Sequence, residues 1–163
     1  MSGSYDRLMS QIGVTLRMVD PLAKVQGCSP EEIAAAEQAL GVTLPPVYRA
    51  FLKYLGWNHG PLLRGTDVPG AAELVEFQAD ARAAVTEWKP RPTLPTDAVV
   101  IAMHQGYRAI YLLPVSAEDG PVYEVQEGRA EPLLAAPTFR AFLEEHVAQL
   151  VSAVAAHRDR GRA

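Results

Sequence analysis

The stretch that decides the fold runs from Ser29 to Gly56 and reads SPEEIAAAEQALGVTLPPVYRAFLKYLG. Its first half opens with the capping-box spacing of Ser29 and Glu32, and Pro30 stands at the first helical position. Ile33, Ala36, Glu37 and Leu40 then share one face, and Gly41 can end a helix in the left-handed conformation. The pattern predicts a capped helix that stops at Gly41.

The second half repeats this logic. Pro45 and Pro46 prevent the first helix from continuing, and an apolar stripe then runs on to Gly56. Its spacing predicts a second helix that is buried along one side. The stripe consists of Val47, Tyr48, Phe51, Leu52 and Leu55.

The segments before and after these two helices are also predicted to contain helices. Residues 5–20 carry helix-spaced apolar positions, with Gly13 as a weak point, so residues 1–27 are predicted to form a helical extension. Residues 57–70 are rich in glycine and proline and are predicted to be a loop. Residues 74–88 suggest another helix, although their first part is also compatible with a strand, and the proline-rich residues 89–97 are typical of an extended connector.

The hydrophobic period then changes. The segments AVVIAM, RAIYLL and PVYEVQ are short and rich in β-branched and aromatic residues, which predicts an antiparallel meander. Pro137 and Thr138 open a long last helix, and residues 157–163 are expected to be a frayed tail. The whole chain, residues 1–163, is therefore predicted to be one α+β domain whose antiparallel sheet is flanked by N-terminal and C-terminal helices.

Composition narrows the function. The net charge of −4 argues against a nucleic-acid-binding surface, which would show a basic patch. Cys28 is the only cysteine, so an internal disulfide and a cysteine-based zinc cluster are excluded. No apolar run approaches the length of a membrane span, and the first residues lack a signal-peptide core. We therefore expect a cytoplasmic protein that does not act on a membrane.

Candidate catalytic groups are few. In IAMHQGYRAIYL, residues 101–112, His104 would need an orienting acid or a nucleophile nearby, and no motif supplies one. We favour a turn made by Gln105 and Gly106 with His104 and Tyr107 at its shoulders. The rival hypothesis is an enzyme or small-ligand binder in which His104, Gln105 and Tyr107 converge in a pocket.

Other reactive-looking features have ordinary explanations. The stretch GPLLRGTD lacks the lysine of a phosphate-binding loop, and the four histidines lack the spacing of zinc ligands. The pairs Glu31–Glu32 and Glu144–Glu145 fit solvated helix positions. Cys28 precedes a helix start, which can activate a thiol, but a structural role is favoured. We expect no catalytic activity, no metal and no cofactor.

What remains is a surface for recognition. Tyr, Trp and Arg are the residue types that dominate interface hot spots, and acidic groups can steer a basic partner. Trp57 is equally compatible with a core position. The candidate partner-binding residues are Tyr54, Trp57, Asn58 and His59 after the second helix, Glu73 and Glu76 beyond them, and His104, Gln105, Tyr107 and Arg108 near the predicted turn.

The order of these motifs resembles the SUKH superfamily, which joins bacterial toxin-immunity proteins to a fungal cell-wall-synthesis regulator. The resemblance covers about residues 28–147. It differs from the usual pattern at Gly56–Gly60 and at MHQGYR, where many members carry Asn-Gly and Gly-Asp or Gly-Asn. The matching residues are Ile33, Glu37, Leu40, Gly41, Leu44, Pro45, Tyr48, Phe51 and Leu52 at the front, and Thr138, Phe139, Phe142 and Leu143 at the back.

The resemblance implies a non-enzymatic immunity protein that binds a cognate toxin protein and covers its functional surface. The alternative is an intracellular scaffold or regulatory module without a toxin partner. The sequence leaves the oligomeric state and the toxin's activity open.

Overall fold

The fold places helices on both faces of an antiparallel sheet. The computed structural model describes residues 2–114 and 118–160. A five-stranded sheet has the order β3-β4-β5-β6-β7, and β1 and β2 form a separate ribbon. The elements are α1 (Ser2–Val19), β1 (Val25–Gln26), α2 (Pro30–Leu40), α3 (Pro46–Leu55), β2 (Asn58–His59), β3 (Thr66–Asp67), α4 (Leu74–Glu87), β4 (Val99–His104), β5 (Arg108–Leu112), β6 (Val122–Gln126), β7 (Leu133–Ala136) and α5 (Phe139–Arg160).

The predicted caps of α2 are confirmed. The Glu32 amide donates to Ser29 Oγ at 3.1 Å, and the Ser29 amide donates back to Glu32 Oε2 at 2.7 Å. Gly41 ends the helix with a φ of 66°, the left-handed conformation that glycine adopts without steric cost. The predicted helices α1 and α3 are confirmed as well, although the N-terminal extension is helical only as far as Val19.

The sheet is larger than the predicted meander. Strands β4, β5 and β6 pair antiparallel as expected. Residues 57–70, predicted to be a loop, contribute β3 to one edge of the sheet and β2 to the separate ribbon, and β7 adds a further strand at the other edge. These short strands lack the alternation of apolar and polar residues that predicts a strand. They are strands because they pair with a neighbouring segment in the fold.

Two helix boundaries also become definite. Residues 74–87 are helical throughout, so the strand alternative for their first part was wrong. Helix α5 continues to Arg160, past the start of the tail expected at residue 157. Residues 161–163 of that tail lie outside the described residues.

The sheet separates two hydrophobic clusters. One face packs against α1, α2, α3 and α5, and the other packs against α4, whose end is covered by the buried Trp88. Cys28 lies in the first cluster, where its Sγ accepts a hydrogen bond from the Ala71 amide at 3.3 Å. Burial raises the pKa of the Cys28 thiol, which disfavours the reactive thiolate form.

The buried amide of Gln78 holds α4 against β4. Its Nε2 donates to the Val100 carbonyl at 2.7 Å, and its Oε1 accepts from the Val100 amide at 2.8 Å. The pairing of β4 with β5 shifts register between Val100 and Ala102, at an irregularity of the kind that leaves backbone groups without strand partners. The side chain thus takes the place of a neighbouring strand.

Gln78→Met should therefore lower the free energy of unfolding by about 2 to 4 kcal/mol, because a buried N–H and C=O of Val100 lose their partners together. Urea denaturation followed by circular dichroism measures this change. Asp80→Asn, at an exposed position of the same helix, is the control and should change stability little. A loss below about 1 kcal/mol for Gln78→Met would contradict the assignment.

Candidate functional site

The turn between β4 and β5 has the predicted form. The Tyr107 amide donates to the His104 carbonyl at 3.2 Å, and Gln105 and Gly106 have φ values of 47° and 75°. Two central residues with positive φ are what a type I′ hairpin turn requires. Trp88 Nε1 donates to the Gly106 carbonyl at 3.1 Å, so the end of α4 anchors the turn.

A polar row crosses four strands at this end of the sheet. Thr66 pairs with His104, His104 with Arg108, and Arg108 with Gln126. Residues directly opposite on paired strands point to the same face, so these four side chains form one continuous line. The sequence offered two of them, His104 and Arg108, as candidates.

Polar and aromatic contacts hold the side chains of this row in place. His104 Nδ1 and the Thr66 hydroxyl are hydrogen-bonded at 2.9 Å, and the Tyr107 ring meets the imidazole edge-on at 5.5 Å. Arg108 Nη1 pairs with Glu124 Oε2 at 3.6 Å. The imidazole is thus oriented by a hydroxyl and not by a carboxylate of the kind that general-base histidines use.

A groove of about 480 Å³ lies between this end of the sheet and α5. His146 Nδ1 is hydrogen-bonded to the Phe142 carbonyl at 2.8 Å, which leaves the other ring nitrogen as the acceptor of the neutral imidazole. Gln149 Nε2 donates to Glu145 Oε1 at 3.1 Å. The groove lining includes one cationic side chain, Arg108, and two anionic ones, Glu124 and Glu145. It can therefore both donate hydrogen bonds to another molecule and accept them. Its walls include Arg108, Glu124, Leu133, Leu134, Glu145, His146 and Gln149.

The second cluster follows α3. Trp57 is 51% exposed, which decides against the core alternative, and its ring lies over Gly70. The Trp57 amide donates to the Gln26 carbonyl at 3.0 Å, and the Asn58 carboxamide accepts from the Gly60 amide at 3.0 Å. These bonds hold the exposed indole on a fixed backbone.

The remaining predicted residues have mixed surroundings. Burial lowers the pKa of the His59 imidazole, which favours its neutral form. Tyr54 is half-buried, with the Lys53 ammonium 5.2 Å from its ring centre. Glu73 is used locally, since its Oε2 accepts from the Gly70 amide at 3.1 Å, whereas Glu76 is exposed in the first turn of α4.

The structure thus brings His104, Gln105, Tyr107 and Arg108 together on one hairpin. Trp57, Asn58 and His59 form a separate group, on the ribbon of β1 and β2 and the residue before it. The chain that follows this group contains Thr66, whose hydroxyl is hydrogen-bonded to His104. Sequence reasoning missed Thr66, Gln126 and the α5 wall of the groove. Thr66 and Gln126 are identified by strand register, which requires that β3 is already paired with β4 and β6 with β5.

A sequence model of the SMI1 / KNR4 family (SUKH-1) matches residues 27–145. The chain belongs to this SUKH-1 family. The match spans α2, α3, the whole sheet and the start of α5, and so includes both groups of candidate residues. No curated protein matches the sequence. The predicted family is confirmed. Membership suggests a role like that of an immunity protein or of the SMI1 / KNR4 proteins.

Two further observations concern metals and membranes. Within residues 2–114 and 118–160, His, Cys, Asp and Glu side chains form no group of three suited to a metal ion. In the same part of the chain, every helix is too short or too polar to cross a bilayer.

Proposed function

We propose that this SUKH-1 member is a non-enzymatic, cytoplasmic immunity protein that binds a cognate toxin protein and blocks it sterically. The observation that carries the proposal is the display of large aromatic side chains on well-held backbone. Trp57 stands on the segment bonded to Gln26, and Tyr107 stands on the turn anchored by Trp88. Exposed aromatics that need little ordering on binding are typical anchors of protein interfaces.

The surroundings of His104 support binding over catalysis. His104 lies at the shoulder of the β4–β5 turn, where it is hydrogen-bonded to the Thr66 hydroxyl and meets the Tyr107 ring edge-on. A general base works best when a buried acid orients it within a water-excluded site. Family membership supports the same proposal, since the superfamily includes toxin-immunity proteins.

The direct test is co-expression with the product of the adjacent open reading frame, which the proposal expects to be the toxin. We expect rescue of growth and a complex that survives gel filtration. Trp57→Ala and Tyr107→Ala should each weaken the complex by about 1 to 4 kcal/mol, as for interface anchors, measured by titration calorimetry. Val75→Ala, which removes an exposed apolar side chain from α4, is the matched control and should leave affinity unchanged.

Absence of both rescue and complex would overturn the proposal. The scaffold function is then the alternative, because the family also includes a regulator of cell-wall synthesis. Affinity capture from cell extract would distinguish the two functions: one dominant toxin partner supports immunity, and several housekeeping partners support a scaffold.

A further inference from the structure

One ion pair in the groove between the sheet and α5 has poor hydrogen-bond geometry. Arg108 of β5 and Glu124 of β6 have side chains that are 32% and 17% exposed. Arg108 Nη1 lies 3.6 Å from Glu124 Oε2, which is too long for a hydrogen bond. Arg108 Nε is buried and has no hydrogen-bond partner within residues 2–114 and 118–160. Two opposite charges are therefore mostly withdrawn from water without the hydrogen bonds that normally accompany them.

An ion pair of this kind contributes little to the stability of a fold. Withdrawing two ions from water costs free energy, and their attraction offsets this cost only where the geometry is good and further hydrogen bonds are made. Apolar side chains line the same groove, so apolar replacements for both ions would have neighbours to pack against. These neighbours are Ile110, Leu133, Leu134, Ala135 and Phe142. We therefore expect the domain to be at least as stable without the pair.

The place of the pair in the fold points to recognition. Arg108 belongs to the polar row, where it lies opposite His104 on one strand and Gln126 on the other. It also lines the groove, whose volume of about 480 Å³ lies within the roughly 300 to 1,000 Å³ of ligand-binding pockets. Groups that lower stability are typical of functional sites, where they serve binding. The pair thus joins the groove to the hairpin that carries Tyr107.

The two charges decide what kind of group fits against them. They lie side by side, so a charged group that approached one of them would also meet a like charge. An amide group has no net charge, and it has both a C=O that accepts from a guanidinium and an N–H that donates to a carboxylate. The other anionic side chain of the groove, Glu145, is exposed, and its Oε1 accepts from Gln149 Nε2 at 3.1 Å. An amide is thus the group that can satisfy both members of the pair.

We propose that the Arg108–Glu124 pair serves recognition and not folding, and that a loop of the partner protein enters the groove and sets an amide against it. The amide is a main-chain peptide unit or the side chain of an asparagine or glutamine. This inference rests on the proposed function, since the partner is the toxin, and it adds the part of the surface that sets specificity. Any other toxin would leave the two charges without hydrogen bonds, which strongly disfavours binding.

The effect on stability is tested without any partner. Arg108→Met combined with Glu124→Met removes both charges and leaves unbranched apolar side chains in the groove. The midpoint of its urea unfolding should equal or exceed that of the wild type. Arg108→Met alone should unfold at a lower urea concentration, because it leaves the Glu124 carboxylate mostly buried without its cation. A double variant that unfolds at a lower urea concentration than the wild type overturns the proposal, since the pair then stabilises the fold.

The effect on binding is tested by titration calorimetry against the toxin of the growth-rescue experiment. The double variant should weaken the complex by about thirtyfold or more, the usual threshold for an interface hot spot. Arg140→Met combined with Glu144→Met is the matched control. It removes an exposed ion pair, with Nε and Oε1 2.8 Å apart, that lies outside the groove, and it should leave affinity unchanged.

The outcomes separate this inference from the proposed function. A complex whose affinity survives Arg108→Met with Glu124→Met overturns the inference alone, because the toxin then binds elsewhere on the domain. The absence of any complex with the wild type is a failure of the proposed function, and the inference falls with it.

Glu145→Gln tests the nature of the group that enters the groove. The substitution removes one anion and keeps an acceptor for Gln149. At about 0.5 M salt, which screens distant charges, affinity should change by less than about threefold. A larger loss would show that the group is cationic, and a larger gain would show that it is anionic. Either result overturns the assignment of an amide.

Discussion

Gly27→Ala should destabilise the fold strongly. A methyl group on Gly27 would overlap the carbonyl carbon and oxygen of Lys53 and lie 2.8 Å from the Tyr54 amide nitrogen. All three atoms belong to the backbone of α3, so no side-chain rotation can relieve the overlap.

The chain on either side of Gly27 is held in place as well. The Cys28 amide donates to the Leu52 carbonyl at 2.8 Å, and the Trp57 amide donates to the Gln26 carbonyl at 3.0 Å. Moving the segment away would break both bonds. We therefore expect a cost of about 4 kcal/mol or more, above the usual range of roughly 1 to 3 kcal/mol for overpacking. That is a large part of the roughly 5 to 15 kcal/mol typical of a whole domain.

Urea denaturation followed by circular dichroism measures this effect, with Gly13→Ala as the matched control. Gly13 lies within α1, and a methyl group there would be 3.6 Å from Val25 Cγ1, an ordinary contact. Since alanine is the better helix former, the control should gain up to about 1 kcal/mol. A Gly27→Ala variant as stable as wild type would show that the α3 backbone does not approach Gly27 this closely.

The sequence carried no sign of the role of Gly27. Close approach to Lys53 depends on how two distant segments pack, and one glycine in a loop looks like any other. The features that were predicted correctly are local ones. The Ser29 cap, the Gly41 end of α2 and the Gln105–Gly106 turn are each fixed by residues within a few positions of one another.

Glu37 shows where a periodic pattern misleads. Its position places it on the apolar face of α2 with Ile33, yet its carboxylate serves the loop that follows. Its Oε1 accepts from the Leu44 amide at 2.8 Å and lies 3.5 Å from Arg49 Nε. Periodicity predicts the face of the helix on which a side chain lies. It does not predict the hydrogen-bond and ion-pair partners, which here belong to residues after the end of the helix.

The two tryptophans make the same point for the candidate site. Trp57 directly follows one predicted helix and Trp88 is the last residue of another, and each precedes a polar residue. Yet Trp88 is buried against the sheet and Trp57 is half exposed. The packing of α4 over the strands decides this difference. The hairpin half of the site was therefore predictable from turn chemistry, whereas the polar row through Thr66 and Gln126 was not, because it depends on register.

Phe139→Ala should be the most damaging substitution of a core side chain. Phe139 is the first residue of α5 and is almost fully buried. Its ring meets Tyr48 and Phe51 of α3 edge-on, with centroid distances of 5.5 and 5.6 Å, and lies 6.1 Å from Phe142. Removing it forfeits these ring contacts and opens a cavity between α3 and α5. We expect a loss of about 3 to 5 kcal/mol.

The backbone around Phe139 allows the packing effect to be isolated. Its amide donates to the Gly120 carbonyl at 3.0 Å, and this bond does not depend on the side chain. Phe139→Leu, which keeps most of the volume and the same amide bond, should therefore lose only about 1 kcal/mol. Trp57→Ala is a second control, since it removes an aromatic side chain that is half exposed and contributes little to the stability of the fold. The midpoint of its urea unfolding should hardly differ from that of the wild type. A Phe139→Ala loss no larger than that of Phe139→Leu would mean that the aromatic contacts between α3 and α5 are not what holds the last helix to the domain.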